Sequence, residues 1–372
     1  MRERRADLVV VGAGIVGLAH AYHASRAGYE VLVVDRDELA VGASVRNFGH
    51  ICTTAQAGRI LELARPARED WIEAGADAGF PVLQCGTTVV ARSAAELAVL
   101  EQFAVARPGE AELLDPAEAR QRLGFSPAGL TGAASLPLDL RVDAPTAIPA
   151  LARLLAERGV GFLRRTNVLD VGEECVFTNR GRIRADRVVV AVGHDVDRLL
   201  PGLAEEAEVR RCRLRMLEVE APGGIRVDPA VLTGTSMLRY EGLAAQPAAS
   251  LVREEVAASA PRLLEAGVNL MLTQRPDGRL VLGDTHAYGV TETPFEDEAD
   301  DVLLLSEFER LLGSPLTVRR RWRGVYASSP LDPFLVAEPI PGVTVAAVTT
   351  GVGMTTAFGL ARTVLAEELV TG

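Results

Sequence analysis

The chain has 372 residues, 48% of them hydrophobic and 24% charged, with 35 glycines; this describes a folded, turn-rich protein of two domains and excludes a disordered or fibrous one. A formal net charge of −11 argues against a nucleic-acid partner, because a phosphate backbone is bound by a basic face that displaces counterions. No stretch reaches the roughly 18 uninterrupted apolar residues of a membrane helix, and Cys52, Cys85, Cys175 and Cys212 show no metal-ligand spacing, so they read as small buried hydrophobes in a reducing compartment.

Residues 1–5 are charged like the start of a signal peptide, but the apolar run that follows carries Asp7 and ends in glycines, so a cytoplasmic location is expected. Asp7 to Val11 is a strand that feeds Gly12-Ala13-Gly14-Ile15-Val16-Gly17, a helix to Arg26 and a second strand from Glu30 to Val34 ending on Asp35. A strand, a tight glycine turn and a helix N-terminus make a cradle for a dinucleotide pyrophosphate. Gly12 makes the turn, Gly14 lets the backbone approach phosphate and Gly17 lets helix and strand pack closely. Asp35 is placed to accept hydrogen bonds from ribose hydroxyls, which disfavours a 2′-phosphate, although Arg36 stands beside it.

A second loop, Gly42-Ala43-Ser44 with Asn47, Phe48, Gly49 and His50, lies where the far half of a dinucleotide would run. Helices are expected over 56–79 (Trp71 in its core), 94–104, 146–158 and 297–312, the third opened by Asp143 in the way that Asp115-Pro116 opens a short one. Pro81 to Ala91, Val209 to Val219 and Leu270 to Leu282 alternate like strands, and Ala245 to Ala266 is helical between prolines. Val160 to Leu163, Asn167 to Val171, Cys175 to Thr178 and Arg182-Ile183 read as short strands, and Arg187 to Gly193 as a buried parallel one. Val318 to Val325 and Val343 to Thr349 follow, before Thr350-Gly351-Val352-Gly353-Met354-Thr355-Thr356 opens a closing helix.

Gly12 to Gly17, Gly42 to Gly49 and Thr350 to Met354 together resemble the D-amino-acid oxidase-like superfamily of FAD-dependent oxidoreductases, which includes glycine oxidase, sarcosine oxidase and D-amino-acid dehydrogenase. The resemblance implies an α/β protein. A Rossmann-type FAD-binding domain (1–80, 143–208 and 318–372) would carry an inserted antiparallel-sheet α+β substrate domain (81–142 and 209–317). It also implies that Val168 sits near the adenine, Ala191 and Gly193 near the flavin, and Gly351, Val352, Gly353, Met354 and Thr355 at the ring's far end. With no cysteine after Cys212, the FAD is expected to be non-covalent. The activity implied is oxidation of a small amine by hydride transfer to flavin N5, giving an imine that hydrolyses, with O2 or a quinone carrier as final acceptor.

The family commonly fixes a substrate carboxylate with an arginine in a "GLRP"-like segment, where this chain has Gly324-Val325-Tyr326-Ala327-Ser328. Tyr326 stands in the arginine's place. Arg46, His50, His286, Gln274, Arg275 and Tyr240 are therefore candidates to read the substrate, with His194 near the flavin and His20 and His23 structural. Arg46-Asn47-Phe48-Gly49 and Gly283-Asp284-Thr285-His286 further resemble a branch associated with organophosphonate breakdown, which implies an aminoalkylphosphonate or its N-alkyl derivative. A glycine, sarcosine or D-amino-acid oxidase or dehydrogenase, a hydroxy-acid dehydrogenase or hydroxylase on the same fold, and a non-catalytic or tRNA-modifying flavoprotein remain alternatives. The oligomeric state is left open.

Overall fold

The computed structural model describes residues 4–371; Met1, where the charged leader-like run begins, lies outside them. Arg4–Val11 is the central strand of an eight-stranded sheet, flanked in parallel by Gly181–Val190 on one side and Val31–Val34 on the other. Gly161–Leu163 extends the second edge, Val343–Val348 the first, and Phe334–Ile340 closes that edge antiparallel. Strands buried on both faces need no alternation, which is why Leu8 to Val11 and Val31 to Val34 are continuous apolar runs. Helices Ile15–Arg26, Gly58–Ala78, Ala144–Glu157 and Gly353–Thr371 pack on one face around Tyr22, Trp71 and Phe358. Trp71 is fully buried and donates its indole N–H to Met354 O at 2.7 Å.

The second sheet has nine strands, among them Thr87–Ala91, Gly132–Leu136, Arg210–Val219, Met271–Gln274, Leu280–Gly283 and Ala287–Gly289. Its pairing is antiparallel except for Ala230–Leu232 beside Thr87–Ala91, which is parallel. A two-stranded ribbon, His50–Ile51 with Leu140–Arg141, runs between the sheets. No helix of the described residues is long and apolar enough to cross a membrane.

Several elements differ from expectation, each for a local reason. Val318–Ser328, expected with the nucleotide domain, pairs along the length of Arg210–Val219 in the second sheet, because its exposed Arg319-Arg320-Arg321 run suits a sheet with one solvated face. Arg182-Ile183 and Arg187 to Val190 form one strand. Leu270 to Leu282 is a hairpin turned at Arg275 to Arg279, and only Thr87 to Ala91 of 81–91 is strand. Ala245 to Ala266 splits into Ala249–Ser259 and Pro261–Glu265, since Pro261 excludes a helical residue before it. Asp143 does not cap its helix: its carboxylate accepts from the Thr146 hydroxyl and pairs with Arg275 at 3.1 Å.

Candidate active site

The glycine turn is tight because its neighbours leave no room. A Cβ on Gly12, whose φ is +106°, would stand 2.5 Å from Ala191 O, and one on Gly17 would stand 1.9 Å from Gly12 O. The helix after the turn lacks a side-chain cap of its own, and the Ser44 hydroxyl supplies one from a loop 29 residues away, accepting from Ile15 N at 2.8 Å. Asp35 accepts from Ala13 N at 2.6 Å and Asp37 N at 2.8 Å, which leaves one lone pair on each oxygen. Arg36 turns to Asp195 at 2.7 Å, so its guanidinium is engaged by the protein.

These groups line one elongated cleft of about 690 Å³, a size typical of small-molecule and cofactor sites. Gly12, Gly14, Ile15, Val16, Asp35, Arg36, Ala43, Ser44, Asn47, Phe48, Val168, Ala191 and Gly193 form most of its length. Gly351, Val352, Gly353, Met354 and Thr355 close one end, where Gly351 at φ +81° would drive a Cβ to 2.8 Å from Tyr326 Cζ. Gly49 is a correction: it does not line the cleft but packs on the Val142 carbonyl, 1.8 Å from where its Cβ would be. Gly17 likewise stays behind the wall, in its packing role.

Next to that turn the cleft holds Tyr326, and with it Arg46, His50 and His286. Arg46 is exposed at the mouth and donates to Arg323 O at 3.2 Å. His50 is fixed by the Thr87 hydroxyl at 2.7 Å, which in turn donates to Asp139 at 2.6 Å. Asp139 also accepts from the Thr53 and Thr54 amides, so the buried cluster His50, Cys52 and Asp139 is satisfied internally. His286 sits 2.8 Å from Gly267 O through Nδ1. Burial, with Arg239 nearby, holds its pKa well below the ordinary value, so the ring is neutral and Nε2 is an acceptor. His194 and Tyr240 also line the cleft, whereas His20 is buried in the first helix, bonded to Val16 O.

Arg275 is the second correction. It pairs with Asp143 and Glu218 and lies off the cleft, together with Gln274, whose amide is consumed by Val227, Ile225 and Gly278. Arg239, absent from the candidates read in the sequence, also lines the cleft, beside Tyr326. Its Nη2 donates to the Tyr326 hydroxyl at 2.8 Å, in place of a carboxylate. Burial opposes its charge, but Tyr326 and Asp284 beside it raise its pKa overall. Asp284, 4% exposed, faces the same space and is held by Asn269 Nδ2 at 3.2 Å, with His286 Nε2 at 3.8 Å. Burial pushes its carboxyl up to about 7 against the pull of Arg239 and Asn269. A charged residue directly after Met237-Leu238 and before Tyr240 was the available signal for Arg239.

Among curated proteins, the chain is 29% identical over 199 residues to a 4-methylaminobutanoate oxidase (formaldehyde-forming) of Paenarthrobacter nicotinovorans, covering 50% of this chain and 24% of that one. It is 25% identical over 256 residues to a D-amino acid dehydrogenase of Granulibacter bethesdensis, covering 50% and 60%. The chain thus spans about a quarter to three-fifths of the curated relatives it matches. Among solved structures, glycine oxidase from Bacillus cereus superposes with a TM-score of 0.80 at 17% identity, covering 99% of this chain and 96% of that one. L-proline dehydrogenase from P. horikoshii gives 0.80 at 20% identity, covering 100% and 94%. These likenesses show the fold. The match to the family described as FAD dependent oxidoreductase runs over residues 7–367, nearly the whole chain, and the protein belongs to that family.

Proposed function

We propose that the protein oxidises a small zwitterionic amine, secondary or primary, with non-covalent FAD as the immediate electron acceptor. The observation that carries the reading is a pair of opposite charges in one cleft, a half-buried guanidinium and a buried carboxyl, each without an ionic partner in contact among the described residues: Arg239 rests on a phenol, and Asp284 on an amide. A ligand bearing an acidic group and an ammonium complements both.

FAD fits the cleft on two independent grounds. Gly42 and Gly193 line it with nothing within 4 Å of where a Cβ would stand, so the backbone there is open to a ligand, and Thr350 Oγ1 and Asn269 Oδ1 are buried on its wall without hydrogen-bond partners. Asp35 would take the ribose and Val168 the adenine; Gly12, Gly14, Ile15, Val16 and Ser44 the pyrophosphate. Ala43, Asn47, Phe48, Ala191, Gly193 and the 351–355 turn would enclose the ring. When bound, FAD supplies the hydride acceptor for the C–H bond beside the amine nitrogen.

The chain's own groups do the rest. Arg239, with Tyr326, fixes the acidic group and so orients the carbon. Asp284, its carboxyl near 7, accepts a proton from the substrate ammonium at neutral pH, freeing the lone pair that expels hydride. His286 offers Nε2 as a neutral acceptor and adds no charge. A guanidinium fork beside a phenol reads a carboxylate or a phosphonate, and the motifs around Asn47 and His286 favour an aminoalkylphosphonate or its N-alkyl derivative. On this reading the first sheet and its helices bind FAD, the second sheet with Val318–Ser328 binds substrate, and the enzyme is cytoplasmic.

The test is an anaerobic screen for flavin bleaching by sarcosine, glycine, D-amino acids and N-methyl-2-aminoethylphosphonate. Bleaching by the phosphonate supports the finer reading; bleaching confined to the others sinks it, and none at all sinks amine oxidation. Reoxidation by O2 or only by a quinone analogue then assigns the acceptor.

A further inference from the structure

Behind the cleft lies a second cavity of about 730 Å³, between the start of helix Ala144–Glu157, residues 220–228 and the hairpin at Gln274 to Arg279. Asn47 and Phe48 line both spaces and so stand between them. Three other arginines on the wall are spoken for: Arg275 by Asp143 and Glu218, Arg279 by Glu218, and Arg226 by Asp228.

Arg141 is not. It is 5% exposed and lines the cavity, yet among the described residues its guanidinium makes one long hydrogen bond, Nη1 to Val227 O at 3.5 Å, beside the Cys85 thiol. Asp228 acts on it only through space and is itself paired with Arg226 at 3.0 Å. Burial pulls its pKa down, and the Cys85 side chain and Asp228 offset that only in part. Burying a guanidinium without a counter-charge is costly, and its fork of five donors matches a carboxylate or a phosphonate. Trp322 and Phe48 supply apolar wall in the same space.

We propose that the second cavity binds an organic anion, its carboxylate or phosphonate on Arg141 and its apolar stem against Phe48 and Trp322. The anion is either the far arm of an elongated di-acidic amine substrate that reaches past Phe48, or a separate acid.

The probes are glutarate and butylphosphonate, titrated into the holoenzyme while Trp322 fluorescence is followed. Trp322→Phe gives the baseline from Trp71, the chain's other tryptophan. The expected result is a saturable change that Arg141→Gln weakens roughly ten-fold or more and Arg239→Gln leaves in place. Flavin absorbance and melting midpoint establish that Arg141→Gln is folded. Arg141→Lys keeps the charge and loses the fork, and it must also weaken binding. Mono- and di-acidic amines separate the two sources. If the arm belongs to the substrate, Arg141→Gln raises KM for di-acidic amines alone and spares kcat; if the acid is separate, no amine's KM moves while probe binding is lost. Absence of a saturable signal with both probes, or titrations unchanged by Arg141→Gln and Arg141→Lys, overturns the proposal. The titration requires no turnover, so its outcome is independent of the amine-oxidation reading.

Discussion

Asp284→Asn tests the buried carboxylate by stability as well as by rate. Burial raises the carboxyl from 3.8 to about 7 in the folded chain, while in the unfolded chain it returns to 3.8. Between these values the folded state holds a proton that the unfolded state has lost, so the contribution to stability is complete below pH 3.8 and disappears as pH rises through 7. From pH 5 to pH 7 the difference persists over two pH units at about 1.4 kcal/mol each. The native protein therefore loses about 3 kcal/mol relative to Asp284→Asn between pH 5 and pH 8, a figure that already contains the opposing pull of Arg239 and Asn269. Urea unfolding of both holoproteins at pH 5, 6, 7 and 8, under saturating FAD, reads this as a divergence of midpoints, with the variant the more stable above pH 7. In the same range kcat/KM of the native enzyme rises with pH through about 7, and the variant lacks that limb. Parallel stability lines would show that Asp284 is not buried as a strained charge, and an unchanged pH profile would remove it from proton transfer.

Arg239→Met raises KM for acidic amines by roughly 100-fold, the value of a charge-assisted fork of about 3 kcal/mol, while Arg275→Ala leaves KM unchanged; the reverse pattern would restore Arg275 to the site. Gly351→Ala forces a Cβ to 2.8 Å from the Tyr326 ring at a φ of +81°, and a strain of about 1–3 kcal/mol lowers the flavin-to-protein absorbance ratio of the purified enzyme; full flavin content would contradict the fit. Acid precipitation leaves the yellow chromophore in the supernatant, and a yellow pellet would refute non-covalent binding.

The nucleotide half was legible because its signals are local. A glycine turn, the strand before it and the helix after it are contiguous in the chain, and a missing Cβ acts at the residue that lacks it; Gly12 and Gly351 could be read one at a time. Gly49 misled because a glycine required for one backbone contact, here the Val142 carbonyl, has the same signature as one required for a ligand. The strand Val318–Ser328 misled because a strand's own residues mark it as extended but not which sheet it joins. The substrate end was harder, since its groups come from separate segments: Asp284 and His286 beyond the end of one strand, Tyr326 in another, Arg239 between short helices. An arginine's meaning there depends on whether a carboxylate meets it, and that is a property of the fold. Arg275 and Arg239 are both arginines in the middle of the chain; Arg275 meets Asp143 and Glu218, Arg239 a phenol. The same criterion, a cation that the described residues leave without an ion-pair partner, selects Arg141, which drew no notice in the sequence because it stands in an ordinary strand. Missing neutralisation is therefore the feature that links the two cavities. It predicts that the ligands of both carry negative charge even though the protein as a whole is acidic, with a net charge of −11.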